Sequence, residues 1–440
     1  MMRTIKQGDT LLVSVLMAIG LFVLYTFLPF PYGLLALCVG GVIILNFKHI
    51  ETALALFIIA IPFLPNTFMI LLSMWIVFLY VRYCIKKEEL DIEVKTKALP
   101  LIALWGVMFL TTVLSTDVKG SVRDLALHTL ALLVVIVFLQ SIKEKRQLYG
   151  LISILCYTSS LVAFYGLYQY FVGVELDPAW VDTTVNPDLT TRVFSVFGNP
   201  NILAEYLIMI TPICFAFLIG DKNWFRKVIF GGIFILNSIV ILLTLSRGGW
   251  VGFAFGMFIF FLMIDRRFIW AILPVGIIAL FILPKSIVNR ILTIFNTSDS
   301  SNNYRIVVWK NTLKMIKDNF FNGVGLGYLP FKSSYLHYIR TMNVYHAHNL
   351  YLEIFAEMGI GGIILFVVSI GTFLKDGFIS IKNKTDKMLK FLVMGVIAGI
   401  LAILMHGMFE NILYIPRIIF SFWVMIALLI KSSELLSAEA

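Results

Sequence analysis

Charge is scarce in this sequence. Of its 440 residues only 14% are Asp, Glu, Lys or Arg, whereas 60% are hydrophobic. A soluble domain is about a quarter charged and about half apolar. A water-soluble fold has nowhere to bury so much apolar surface, so a soluble enzyme is excluded. Cysteine is scarce too. The four cysteines, Cys38, Cys84, Cys156 and Cys214, lie in or beside apolar runs and form no CxxC pair. They read as neither a disulfide framework nor a cysteine metal site. There is no Walker A sequence and no HExxH, which removes the usual nucleotide and zinc-protease signatures. Gly323-Val324-Gly325-Leu326-Gly327 resembles a nucleotide loop only superficially, since it is read as not leading directly into a helix.

What the sequence does have is long apolar runs. They fall near 11–28, 32–47, 51–65, 67–85, 98–115, 125–141, 149–172, 201–220, 228–245, 249–264, 268–283, 349–374, 391–406 and 413–430. A membrane-crossing helix needs about 20 residues, and in lipid only helices or closed barrels satisfy their own backbones. The expected fold is an all-α polytopic membrane protein with 12–14 transmembrane helices. The lower count treats the second and third runs as a re-entrant pair. The chain reads as one integrated transmembrane domain, 1–440, with one long extracytoplasmic loop, 284–347. The basic lead Met1 to Thr10 has no small-x-small site after it, so the first run reads as an uncleaved helix.

Charge sets the orientation. With the N-terminus inside and the runs alternating, twenty-two of the 35 Lys and Arg fall on inside segments and five on short outside segments. The long loop is left out of this count, because long loops cross regardless of charge. Both termini are therefore expected in the cytoplasm, and the net charge of +10 reports positive inner loops rather than nucleic-acid binding. The unusual polar clusters then gather on the outer face. The inner loops are short, lysine-rich and poor in motifs, so chemistry here uses no cytosolic nucleotide.

Each outer cluster has a plain reading and a chemical one. Segment 173–200 ends in Arg192 and, further on, Asn199-Pro200-Asn201, an N-cap followed by proline at the first helical position. Its free N–H groups cap a helix or receive an anion. Glu205 lies one turn into the membrane, where a carboxylate has a partner or a function. Arg247, in Ser246-Arg247-Gly248-Gly249, either snorkels to the interface or binds phosphate through its planar fork. The paired glycines would let a bulky ligand approach the backbone. Tyr304 to Lys317 opens an amphipathic helix with Ile306, Trp309, Leu313 and Ile316 on one face. In it Arg305 either packs on Trp309 or serves as a second phosphate ligand. His346-Ala347-His348-Asn349 begins the next span, and Asn349, Glu353 and Glu357 make a polar stripe along it. An HxH pair is a weak zinc signal with no third ligand spaced for it; a neutral imidazole suits general-base work better. His406 to Asn411 adds another histidine and Glu410, for helix capping or for contact with a sugar.

These motifs carry a resemblance. His348-Asn349 is followed by Gly359 and Gly362, and stands in order with Phe197-Gly198-Asn199-Pro200-Asn201, Ser246-Arg247-Gly248-Gly249, Arg305 to Trp309 and Gly323 to Gly327. The chain resembles the O-antigen ligase and Wzy-type polysaccharide polymerase superfamily. The resemblance implies a GT-C-type glycosyltransferase, inverting, metal-independent and without cofactor. The implied donor is a glycan on undecaprenyl pyrophosphate at the outer face of the bacterial cytoplasmic membrane, and the implied acceptor is a glycan, lipid or protein hydroxyl. It implies that Arg247 and Arg305 hold the pyrophosphate and that His348 activates the acceptor. Glu410 is the nearest counterpart of the family's acidic position. Arg192, Asn199, Asn201, Glu205, Asn349 and Glu353 are the further expected substrate contacts. The alternative function is a polytopic transporter of a lipid-linked or anionic substrate; against it stand the crowding of candidate residues on one face and the lack of a repeat between the halves.

Overall fold

The computed structural model describes residues 50–87, 99–175, 191–270, 274, 300–382 and 384–438. The runs at 11–28 and 32–47, most of the run at 268–283, and residues 284–299 of the long loop lie outside the described residues. Every described run is a helix. They are α1 (Ile50–Phe63), α2 (Asn66–Lys87), α3 (Leu99–Val113), α4 (Val118–Ser141), α5 (Lys145–Val172), α6 (Pro200–Gly220), α7 (Trp224–Leu243) and α8 (Arg247–Ile264). In the long loop stand α9 (Ser300–Asp318) and α10 (Tyr328–Tyr335); α11 (Leu350–Ser380), α12 (Lys387–His406) and α13 (Pro416–Ser437) follow. Among the described residues nine helices are long and apolar enough to cross a membrane, while α1 and α3 are shorter apolar helices. The chain is a multi-pass, all-helical membrane protein.

The centre of the bundle is α6, α12 and α13. In its most apolar stretch α13 is 89% buried, whereas α2 on the rim is 22% buried. Helices in lipid gain little from the hydrophobic effect against one another and associate through close backbone contact. Small residues four apart supply that contact here. Gly395 and Gly399 of α12 face α6, where a Cβ on Gly399 would stand 2.0 Å from the Met209 carbonyl oxygen. Gly252 and Gly256 of α8 face α12 in the same way, each with its missing Cβ 2.6 Å from a carbonyl oxygen, of Ala402 and Ala398 respectively. These glycines place α8 and α12 so that their ends, Arg247 and His406, meet on one side of the bundle.

The two ends of the bundle differ in chemistry. One end holds Lys145 bonded to Asp386 at 2.9 Å and Arg226 bonded to Asp221 at 2.8 Å. The other end gathers the turns after α1, α3, α7 and α12 together with 191–199 and the long loop. There Arg417 donates to the carbonyls of Leu64 (2.9 Å) and Val196 (2.8 Å), and Thr116 donates to Val324. Among the described residues, the turns expected on one side of the membrane thus share one end of the bundle.

The long loop has a small core of its own, formed by Val308, Met315, Ile316, Val324, Phe331, Tyr335, Val344, Ala347 and Ala356. The inward face of α9 is therefore Val308, Thr312, Met315 and Ile316, and Leu313 is 53% exposed. Of the stripe expected from spacing, Ile316 lies in this core, Ile306 and Trp309 are half-buried and Leu313 faces outward, because the face with Thr312 lies against α11 and α10. The glycine-rich stretch also differs from expectation. It does lead into a helix, α10, but its amides are spent on protein: Val324 and Gly325 donate to the carbonyls of Ala356 and Glu357 at 2.9 and 3.0 Å. Those carbonyls are released because α11 is broken at Gly359, whose φ is +63°. Ile360 in turn donates to Phe320.

Gly325 sits at φ +116°, and an added Cβ would stand 1.9 Å from the Ser115 hydroxyl oxygen. Gly325→Ala is expected to cost at least the roughly 1–3 kcal/mol of a residue forced into a sparse backbone region. Gly361, with nothing within 4 Å of its missing Cβ, is the control. Thermal unfolding in detergent should show Gly325→Ala well below wild type and Gly361→Ala close to it.

Candidate functional site

Three non-glycine residues among those described have positive φ: Ser195 (50°), Leu245 (53°) and His348 (49°). All three lie in connections at the same end of the bundle. Such backbone costs of order 1–3 kcal/mol and persists only where its surroundings fix it; histidine enters this region more readily than most residues. His348 is fixed from both sides. Ala347 donates its N–H to the Glu353 carboxylate. The Asn349 side chain caps α11, accepting from Tyr351 and Leu352 at 3.0 Å each, and donates to the Met408 carbonyl at 2.9 Å. Leu350 donates to Gly407 at 2.7 Å. The imidazole is thereby turned toward the α12–α13 connection.

There it meets Glu410. His348 Nδ1 lies 2.6 Å from Glu410 Oε1. The same oxygen accepts from the Asn411 N–H at 3.3 Å and stands 3.7 Å from His346 Nδ1. The second oxygen accepts from Asn201 Nδ2 at 3.4 Å and stands 3.6 Å from Arg305 Nη2. Burial alone would raise the carboxyl pKa, but His348, His346 and Arg305 hold it well below the carboxylate range. Glu410 is thus ionised and accepts only, so Nδ1 of His348 is the donor and Nε2 is left to take a proton. His346 next to it is pushed down to about 4, first by burial and then by His348, with Arg305 adding to the shift and Glu410 opposing it. It is neutral at ordinary pH. Tyr304 packs edge-on against His348 and Tyr414 lies beside His346. Neither tyrosine was singled out from sequence; only the position of Tyr304 beside Arg305 pointed to it.

The cations come from three segments. Arg305 enters from the first turns of α9. Arg192 is 4% exposed; it donates to the Thr244 carbonyl (2.9 Å) and to Asn201 Oδ1 (3.3 Å). A continuous polar path therefore runs Arg192–Asn201–Glu410–His348. Asn199 caps α6 through the Asn201 N–H at 2.8 Å, with Pro200 at the first helical position. Arg247 opens α8, capped by Ser246. The room beside its paired glycines is not open to a ligand: His406 and Phe409 stand against Gly248, and Ala204 against Gly249.

Two expected contacts lie below this layer. Glu205 is fully buried and pairs with His406 Nε2 at 3.3 Å. Glu353 is 2% exposed and tied to Ala347. The structure therefore brings together His348, Arg305, Glu410, Asn201 and Arg192, with Asn349 at the helix end, and sets Glu205 and Glu353 beneath them. A third metal-ligand partner, which the HxH spacing lacked, is supplied by the fold: His346, His348 and Glu410 each offer one ligand atom within 4.8 Å of the others.

Residues 232–367 match the family model described as O-Antigen ligase. The match contains Arg247, Arg305, His348, Gly359 and Gly362, so the resemblance to the O-antigen ligase and Wzy-type superfamily holds over these motifs. Arg192, Asn201 and Glu410 lie outside the matched stretch and reach the site only through the fold. No curated protein matches the chain.

A carboxyl whose folded pKa is depressed stabilises the fold above its unfolded pKa, here 4.5, and loses that contribution as pH falls through the folded value. Glu410→Gln should lower thermal stability by about 1–3 kcal/mol, equally across neutral and mildly acidic buffers. Melting curves of the two proteins should converge only as pH falls below the ordinary carboxylate range.

Proposed function

We propose that the chain is a glycosyltransferase of the ligase or polymerase type. It moves a glycan from undecaprenyl pyrophosphate to an acceptor hydroxyl at the outer face of the bacterial cytoplasmic membrane. The observation that carries this reading is the His348–Glu410 pair. A carboxylate on Nδ1 fixes the tautomer and leaves Nε2 as general base, a role that contributes typically 10²–10⁴-fold.

The acceptor O–H gives its proton to Nε2 as its oxygen bonds the anomeric carbon. The anomeric carbon–oxygen bond to pyrophosphate breaks from the opposite face, and the electron pair leaves with the pyrophosphate, inverting the centre. The growing negative charge needs preorganised partners. Arg305, held by Glu410, and Arg247, at the N-terminus of α8, supply them, with the positive end of that helix adding to the field. Asn199, Asn201 and Asn349 orient sugar hydroxyls, and Arg192 holds Asn201 in place. Glu205 and Glu353 support the layer from below. The energy resides in the donor, so no ATP is needed, and the two guanidiniums do what a divalent metal does elsewhere. Both termini are cytoplasmic, and the separation of a lysine-bearing end from the site-bearing end supports that orientation.

His348→Ala should lose at least about 10²-fold in transfer, whereas His346→Ala should retain a substantial share. Arg247→Ala and Arg305→Ala should each nearly abolish transfer in a folded, membrane-inserted protein. Lysine at either site should rescue poorly, because it keeps charge without the bidentate fork. Transfer assays with lipid-linked donor, run with and without EDTA, check all of these. Full activity in both lysine variants, or loss with EDTA and recovery with Mg²⁺, would contradict the reading.

A further inference from the structure

The neighbourhood of Glu410 contains an atom that the transfer mechanism does not use. Nδ1 of His346 is buried, has no hydrogen-bond partner among the described residues, and lies 3.7 Å from Glu410 Oε1. A buried polar atom without a partner in a native structure calls for an explanation, and an ion-binding role is one. His348 Nδ1 faces the same oxygen at 2.6 Å, and the two imidazole rings are 4.2 Å apart. Two histidine nitrogens and a carboxylate oxygen around one point form a three-ligand set of the kind that binds Zn²⁺ with a fourth position open.

We propose that His346, His348 and Glu410 form an inhibitory site for Zn²⁺ or a similar transition-metal ion arriving from outside. With bonds of about 2.0–2.1 Å, tetrahedral zinc holds its ligand atoms roughly 3.3–3.4 Å apart. The His346–Glu410 separation is already within a few tenths of an ångström of that, and the His348–Glu410 contact needs to open by less than 1 Å. His346 occupies the loop immediately before the cap, where Tyr414 packs on its ring, so its imidazole is already oriented.

Inhibition follows from the proton inventory and rests on the reading of His348 as base; binding does not. In the working form the single imidazole proton of His348 sits on Nδ1 and is donated to Glu410. Zinc on Nδ1 displaces that proton to Nε2. No proton leaves the ring, but Nε2 now carries a hydrogen and cannot accept one from the acceptor hydroxyl. Glu410 is diverted from Nδ1 at the same time. The metal blocks the base without covering the arginines.

The test uses the full-length protein, stripped of metal, in detergent micelles. Zinc binding is measured by competition with a chromophoric chelator, and Co²⁺ is added in parallel as a spectroscopic probe. Wild type should bind one Zn²⁺ per chain and develop the visible absorption of tetrahedral Co²⁺. His346→Ala should weaken zinc binding by at least the roughly 10–100-fold that loss of even an outer-shell partner costs. Micromolar Zn²⁺ should stop wild-type transfer, EDTA should restore it, and His346→Ala should keep its own zinc-free rate in the presence of zinc. Wild type with no saturable zinc binding and no tetrahedral Co²⁺ band would overturn the site, whatever the variants do. Zinc affinity unchanged in His346→Ala would overturn it as well. Zinc bound as expected, with wild-type transfer unaffected, would leave the metal site standing, overturn its inhibitory role and count against His348 as the base.

Discussion

A single buried negative charge, on Glu410, organises this end of the molecule. An isolated carboxylate in such a place is too costly to keep ionised. It is kept because polar groups from four separate segments converge on it: Asn201 from the start of α6, Arg305 from α9, His346 and His348 from the approach to α11, and its neighbouring Asn411 amide. Each partner is useful only where the charge is, so the charge fixes their relative positions. The left-handed backbone at His348 is tolerated for the same reason. Glu353 beneath and Asn349 beside it leave the imidazole one direction to face.

The scaffold that delivers these groups is built from close backbone contacts. Glycines on α12 and α8 let α6, α12 and α8 approach until carbonyls nearly fill the missing Cβ positions. The break of α11 at Gly359 gives its freed carbonyls to the glycine-rich loop, so that α9 and α10 are tied to the helix that carries His348. A motif that looks like a ligand cradle is thus a joint. It connects the loop bearing Arg305 to α11, which begins just after His348 and its cap Asn349.

Much of this was legible in the sequence. Hydropathy located the described helices of the bundle, and amphipathic spacing located α9; α10, short and polar, was missed. The cap at Asn199-Pro200 was readable, because capping is a local matter of a side-chain oxygen and the next free amides. The pairing of His348 with Glu410 was not, since 62 residues separate them and no local pattern records which helix ends meet. For the same reason the paired glycines at 248–249 read as room for a ligand when His406 fills it, and Glu205 read as a substrate contact when His406 is its partner. The inward face of α9 was only partly placed: Ile316 belongs to it, but close packing against α11 put Val308, Thr312 and Met315 there and left Leu313 exposed. Arg192 was identified as a polar site residue, but its role as a buried brace through Thr244 and Asn201 appears only in three dimensions.

The central claim is that this end of the bundle breaks the anomeric carbon–oxygen bond to pyrophosphate rather than moving its ligand across the membrane. The direct measurement is mass-spectrometric analysis of lipid-linked donor incubated with purified protein in detergent and acceptor, without nucleotide or divalent metal. The account predicts free undecaprenyl pyrophosphate together with an acceptor extended by the glycan with inverted anomeric configuration. Donor recovered intact, alongside its translocation when the same protein is placed in vesicles, would contradict the account and assign the chain to transport.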